Sequence, residues 1–84
     1  MSGRLKALLV LGNNEEIWTM ESQIPIPPFP GLGIRIATYD MLNVESVVIG
    51  DAGYDVTCIC TSEGSVVYDD ERLRSFGFEK SDYP

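Results

Sequence analysis

The sequence predicts a mainly β protein: a small antiparallel barrel or rolled sheet of five or six strands, with one short C-terminal helix. Eight Gly and five Pro divide the 84 residues into short segments. Those segments are rich in β-branched and aromatic residues and recur at intervals of about ten residues, as in small sandwiches and barrels. A chain of this length builds one domain. We assign residues 1–78 to a single β domain and residues 79–84 to a loose C-terminal tail.

The N-terminal part predicts a hairpin followed by an extended strap. Leu5–Leu11 and Glu16–Ile24 are strand candidates separated by a Gly-Asn-Asn turn, which favours antiparallel pairing. The apolar run from Ala7 is too short for the core of a secretory signal peptide. Pro25–Gly31 contains four prolines, which remove main-chain donors and fix φ, so we expect this segment to cross the surface in an extended conformation.

The middle of the chain predicts four further strands, because polar turn residues separate its apolar stretches. We expect Asp40–Asn43 to form one of the turns. The predicted strands are Gly33–Tyr39, Val44–Gly50, Asp55–Thr61 and Ser65–Tyr68.

A single helix is predicted to begin at Asp69 or Asp70. Aspartate at an N-cap accepts hydrogen bonds from the free N–H groups of the first turn. Gly77 suits the left-handed residue that follows a helix. About two turns are too short to be stable alone, so we expect Leu73 and Phe76 to dock on the sheet.

Residue types that carry chemistry are scarce, which argues against an enzyme, a bound cofactor or a metal. Histidine is absent, and no phosphate-binding loop motif is present. Cys58 and Cys60 are the only cysteines, and alternation along a strand places both on one face. We expect them to be small core residues of a cytoplasmic protein, with an intermolecular redox or metal role as the alternative.

Charge is the most informative feature of the sequence. The net charge is −7, which disfavours direct binding to nucleic acid or anionic lipid. No apolar run approaches the roughly 20 residues that cross a bilayer, so we expect no membrane association. From Ile36 to Glu71 there are eight acidic residues and no Lys or Arg.

These acids predict a surface that binds a basic partner protein, with solubility as the alternative explanation. We expect the turn residues Asp51, Asp55 and Glu63 to tolerate charge reversal. The oligomeric state stays open. The candidate partner-binding residues are Asp51, Asp55, Glu63, Asp69, Asp70 and Glu71.

A second hypothesis places a partner on the apolar strap. In this alternative the protein is a structural or adaptor module, and Phe29, Leu32 and Trp18 form the contact. We also expect the larger aromatic side chains, Trp18, Tyr39, Tyr54 and Tyr68, to pack in the core and along the sheet edges, with a protein interface as the alternative.

Part of the sequence resembles the SH3-like β-barrels of phage and prophage proteins. The resemblance covers residues 26–61 and lies in Pro30-Gly31 before a strand, in Tyr39, Val44 and Val47, and in the alternating Val56, Cys58 and Cys60. In size and acidity the chain is also similar to phage-encoded inhibitors of host defence, including anti-CRISPR proteins. This similarity implies a non-enzymatic inhibitor that occupies the basic channel of a nucleic-acid-guided nuclease complex, or a component of a phage assembly.

Overall fold

A computed structural model describes residues 4–50 and 53–81. Its main element is one six-stranded sheet with the strand order β3-β4-β5-β1-β2-β6. The strands are β1 (Leu5–Asn13), β2 (Glu16–Ile24), β3 (Gly33–Ala37), β4 (Asp40–Ile49), β5 (Val56–Ser62) and β6 (Glu79–Ser81). A 3₁₀ turn, Glu63–Ser65, and one helix, α1 (Asp70–Phe76), lie between β5 and β6. The mainly β class with one short C-terminal helix is confirmed, in the form of a rolled sheet that does not close.

The sheet is mixed, which corrects the expectation of a purely antiparallel one. β1 pairs antiparallel with β2, but its other neighbour is β5, and that pairing is parallel, with Leu9 opposite Cys58. β3, β4 and β5 form an antiparallel meander after the strap, in which β3 and β5 run in the same direction as β1.

The strap is neither helix nor strand, with bends at Pro25 and Ile26, and it ends in a tight turn. The N–H of Leu32 donates to the carbonyl of Phe29 (3.0 Å) across Pro30 and Gly31, with Gly31 at φ 98°. Proline followed by a residue with positive φ is the pattern of a type II turn. Gly31 and Leu32 then both bond to Val44, which attaches the end of the strap to β4.

The main core cluster lies on one face of the sheet and is closed at one end by the helix, and Leu8 and Val10 of β1 are buried on the other face. Its largest fully buried side chains include Trp18, Phe78, Leu9, Leu11 and Leu73. Asp69 caps α1 by accepting from the N–H of Arg72 (2.8 Å), and Gly77 ends it at φ 107°. The predicted helix and both of its caps are confirmed.

The segment before the helix is not the strand predicted for Ser65–Tyr68. After β5 the chain turns out of the sheet through Gly64, which has a positive φ of 73°. Tyr68 is then held by Asn13: its N–H donates to Oδ1 and its carbonyl accepts from Nδ2, both at 2.9 Å. These buried bonds replace the ladder that a strand would have made.

Two further boundaries differ from the prediction. The turn between β3 and β4 is at Thr38 and Tyr39, so Asp40–Asn43 belongs to a strand. Residues 79–81, assigned to a loose tail, form β6 on β2, and Lys80 is paired with Glu16 (3.0 Å). Residues 82–84 lie outside the described residues.

The hairpin turn between β1 and β2 carries an unfavourable residue. Asn14 and Glu15 have φ of 52° and 64°, the left-handed pair that a two-residue hairpin requires. Asparagine tolerates this conformation, whereas glutamate does so at a cost of about 1 kcal/mol.

Replacing Glu15 with glycine is therefore expected to raise the free energy of unfolding by about 1 kcal/mol. Glu21→Gly is the matched control, because Glu21 is an exposed residue inside β2. There the same change lowers stability by about 0.5–1 kcal/mol. Urea denaturation measures both, and a loss of stability in Glu15→Gly would contradict the turn geometry.

Candidate acidic interface

The predicted partner-binding residues fall into two groups at opposite ends of β5. Asp55 precedes the strand, and Glu63 follows it. Eight residues at about 3.3 Å each separate their Cα atoms by about 25 Å. That distance exceeds the roughly 10 Å over which exposed charges interact at 0.1 M salt. Asp51 lies outside the described residues.

Asp55 has a structural role that makes it a poor candidate for binding. Its carboxylate accepts a hydrogen bond from the N–H of Lys6 (2.8 Å), and its own N–H donates to the carbonyl of Lys6 (2.9 Å). The residue thereby ties the start of β5 to β1. This geometry argues against the expectation that Asp55 tolerates charge reversal, because a lysine there would leave the Lys6 N–H without this acceptor.

The other four predicted residues lie together at the opposite end of the sheet. Asp69, Asp70 and Glu71 begin α1, and Glu63 begins the 3₁₀ turn; all four are exposed. The Asn13–Tyr68 hydrogen bonds hold this segment beside the end of β1.

The sheet topology adds acids that sequence reasoning did not single out. β1 and β5 end where β2 and β4 begin, so the Asn14-Glu15 turn, Glu16 and Asp40 share this end with the helix start. We call this surface the acidic end and define it by seven of the thirteen acidic residues: Glu15, Glu16, Asp40, Glu63, Asp69, Asp70 and Glu71. No signal in the sequence places the hairpin turn beside the helix start, because this proximity depends on the β1–β5 pairing.

Three of these acids are partly neutralised. Arg72 binds Asp40 at 2.8 Å, and Lys80 lies 3.0 Å from Glu16 and 3.6 Å from Asp70. The hydrogen bond to Glu16 is the main effect that raises the pKa of Lys80. The two pairs that Lys80 makes are about half exposed and contribute little to stability. Glu15, Glu63 and Glu71 have no ion pair within the described part of the chain, so they carry the charge that a partner would meet.

Asp40 also takes part in a side-chain cluster under the acidic end. It accepts from the phenol of Tyr68 (3.2 Å) as well as from Arg72, and its side chain is 13% exposed. Burial, followed by this hydrogen bond, raises the pKa of Tyr68. The ring of Tyr68 packs edge-on against Phe76. The cluster fixes the helix relative to β4, which gives the acidic end a rigid base.

Exposed apolar side chains accompany the carboxylates at the acidic end. Tyr39, in the β3–β4 turn, is 94% exposed, which corrects the expectation that it packs at a sheet edge. Val66 and Val67 are also exposed and border a shallow groove between the β1–β2 turn and the end of β5. Apolar side chains surrounded by polar ones are typical of protein interfaces.

The strap offers less apolar surface than the alternative hypothesis assumed. Trp18 is fully buried, with the cations of Arg74 and Lys80 5.3 Å and 5.5 Å from its ring. Leu32 is half-buried against the core. Phe29 is 51% exposed and Ile26 is 48% exposed, so these two side chains provide the apolar surface of the strap.

The two cysteines lie on one face of β5 and are buried in the core, as predicted. Burial raises the pKa of the Cys58 thiol, and burial together with the charges of Cys58 and Glu45 raises that of Cys60 to about 12. Within residues 4–50 and 53–81, no three His, Cys, Asp or Glu side chains are grouped closely enough to hold a metal ion. In the same residues, no helix has the length and apolarity to span a membrane.

Comparison with protein-family models, with curated proteins and with solved structures finds no match. The acidic end and the strap are therefore interpreted from their own chemistry.

The Cys60 thiol predicts a loss of stability at alkaline pH. Its pKa is higher in the folded than in the unfolded state, so the unfolded thiol ionises first, and stability falls as the pH rises from 9 towards 12. Between pH 9 and 11 the expected loss is about 2 kcal/mol.

Urea denaturation across this range compares the protein with Cys60→Ala. The variant is less stable at pH 7 because of the cavity, but it is expected to lose less stability with rising pH. If the free energies of unfolding of the two proteins fell equally with pH, burial in the folded state would not raise the pKa of the Cys60 thiol.

Proposed function

We propose that this protein is a non-enzymatic binding protein whose acidic end blocks a basic, nucleic-acid-binding surface of a partner. The observation that carries the proposal is the gathering of seven acidic residues, brought from four separate parts of the chain, at one end of the sheet. Carboxylates at this end present the charge of a nucleic-acid backbone to cationic side chains that normally bind phosphates.

Rigidity supports this function. The carboxylates lie at strand ends and on a helix fixed by Asn13 and by the Asp40 cluster. A fixed array loses less conformational entropy on binding than a flexible acidic tail. Exposed ion pairs contribute only about 0.2–1 kcal/mol each, and desolvated pairs contribute more. Several pairs around an apolar contact are therefore needed for tight binding, and Tyr39, Val66 and Val67 supply the apolar part.

The resemblance in size and charge to phage-encoded inhibitors extends the proposal to a partner class. A nucleic-acid-guided nuclease complex has a long basic channel, and an acidic protein of 84 residues can occupy part of it. Glu15 fits this interpretation, because a residue kept in an unfavourable conformation at a turn often serves function rather than folding.

The Glu63→Lys/Glu71→Lys variant tests the acidic end against net charge alone. Its control, Glu21→Lys/Glu45→Lys, reverses two exposed glutamates that each lie five residues along a strand from this end, and it changes the net charge of −7 by the same amount. Circular dichroism and urea denaturation verify that both variants are folded. The protein is immobilised to capture nucleic-acid-binding proteins from a host lysate, and each captured protein is assayed for inhibition of its nucleic-acid binding.

The original protein and the control are expected to inhibit to a similar degree, whereas Glu63→Lys/Glu71→Lys weakens inhibition at least tenfold. Raising the salt from 50 to 300 mM should also weaken it. An equal loss of inhibition in both variants would show that net charge alone causes it. Full inhibition by Glu63→Lys/Glu71→Lys would refute the proposal.

A second candidate function is that of a structural or adaptor module. The exposure of Ile26 and Phe29 on the strap favours it. In this case the contact is apolar and insensitive to salt, in contrast to the acidic end.

A further inference from the structure

The rolled sheet leaves one edge of β3 open. β3 is the outermost strand, and within the described residues it pairs only with β4. The N–H of Val44 donates to the carbonyl of Leu32 (2.9 Å), which places Leu32 in a hydrogen-bonded position. Bonded and non-bonded residues alternate along an antiparallel ladder, so Gly33 and Arg35 direct their main-chain N–H and C=O groups away from β4. Such groups are a template for another strand.

An apolar groove lies beside this edge. It has a volume of about 240 Å³ and lies between the end of β2 and the start of β3. Ile26 and Phe29 of the strap are about half exposed near it. The residues that line the groove are Ile24, Pro25, Ile26, Leu32, Gly33 and Ile34.

The charge of this region is unlike that of the rest of the chain. Residues 22–39 contain no acidic residue, and their one base is Arg35. Arg35 is exposed on β3, and its guanidinium donates one hydrogen bond, to the carbonyl of Thr38 (2.6 Å). Since a guanidinium has five N–H donors, it keeps the capacity to bind a carboxylate.

We propose that the open edge of β3 binds an extended segment of a partner protein as a seventh strand. Main-chain hydrogen bonds form with Gly33 and Arg35. Apolar side chains at alternate positions enter the groove beside Ile34, and a carboxylate on the opposite face of the added strand pairs with Arg35. This inference rests on the adaptor function and not on the acidic end.

A second copy of this chain fits the edge less well than such a segment. Antiparallel pairing of two β3 strands through their middle residue would place Arg35 opposite Arg35, and like charges facing each other destabilise a strand pair. Each copy also carries a net charge of −7. The local charge, with Arg35 as the one base in a stretch without acids, thus favours a partner segment that carries a carboxylate.

A displayed library of ten-residue linear peptides, selected on the full-length protein, tests the proposal. Enriched peptides are expected to alternate apolar with polar residues and to contain Asp or Glu. The most enriched peptide should bind Arg35→Glu at least tenfold more weakly, and a parallel selection on that variant should favour Lys or Arg. In the complex, amide hydrogen exchange at Gly33 and Arg35 should slow at least tenfold.

Glu63→Lys/Glu71→Lys separates this inference from the acidic-end proposal, because that variant should bind the peptide with unchanged affinity. Four outcomes would overturn the inference. They are a selection that enriches no peptide, equal binding to Arg35→Glu, unchanged exchange at Gly33 and Arg35, and a homodimer at tens of micromolar in sedimentation, in which the second copy is the occupant.

Discussion

The parallel ladder between β1 and β5 joins the two halves of the sheet, and the rest of the structure depends on it. On one side of β1 lie the paired strands β2 and β6, and on the other side lies the meander of β3, β4 and β5. β1 can lie between them because five consecutive residues, Ala7–Leu11, are buried, which means that both of its faces are covered. Parallel strands occur mostly in such doubly covered positions. Asp55 secures the ladder at its start through two hydrogen bonds to the main chain of Lys6, one from its carboxylate and one from its own N–H.

This ladder also determines where charge lies on the surface. Because β1 and β5 run in the same direction, the β1–β2 turn and the chain that leaves β5 emerge at the same end. Acids that are distant in sequence meet there, while Asp55 remains at the other end. An antiparallel β1–β5 pair would have separated Glu15 from Glu63 by the length of a strand. The open edge of β3 follows from the same order, since the meander ends on a strand with no outer neighbour among the described residues.

Local features of the fold could be predicted from the sequence, because each depends on neighbouring residues. The Gly-Asn-Asn sequence indicated the hairpin, although Gly12 and Asn13 belong to β1 and the turn is at Asn14 and Glu15. The prolines indicated the strap, and Asp69 and Gly77 marked the ends of the helix. The same-face burial of Cys58 and Cys60 followed from strand periodicity. The acidic stretch between Ile36 and Glu71 contains five of the seven carboxylates that the structure brings together, and four of these were named as candidates.

What could not be predicted depends on contacts between distant residues. Tyr68 forms hydrogen bonds with Asn13, 55 residues away in the sequence. The residue pattern of Ser65–Tyr68 alone gives no sign that this segment lies outside the sheet. Asp55 has the sequence context of a turn acid, yet its carboxylate is committed to Lys6, 49 residues away. β6 was missed because three residues, two of them charged, resemble a tail unless the ion pair of Lys80 with Glu16 is known.

The direction of the β1–β5 ladder is tested most directly by cross-strand nuclear Overhauser effects between main-chain protons. A parallel ladder predicts contacts in ascending register, joining Ala7 to Val56, Leu9 to Cys58 and Leu11 to Cys60. Contacts in descending register, with Ala7 near Cys60 and Leu11 near Val56, would contradict it. An antiparallel sheet would then replace the mixed one, and the acidic end would not exist as described.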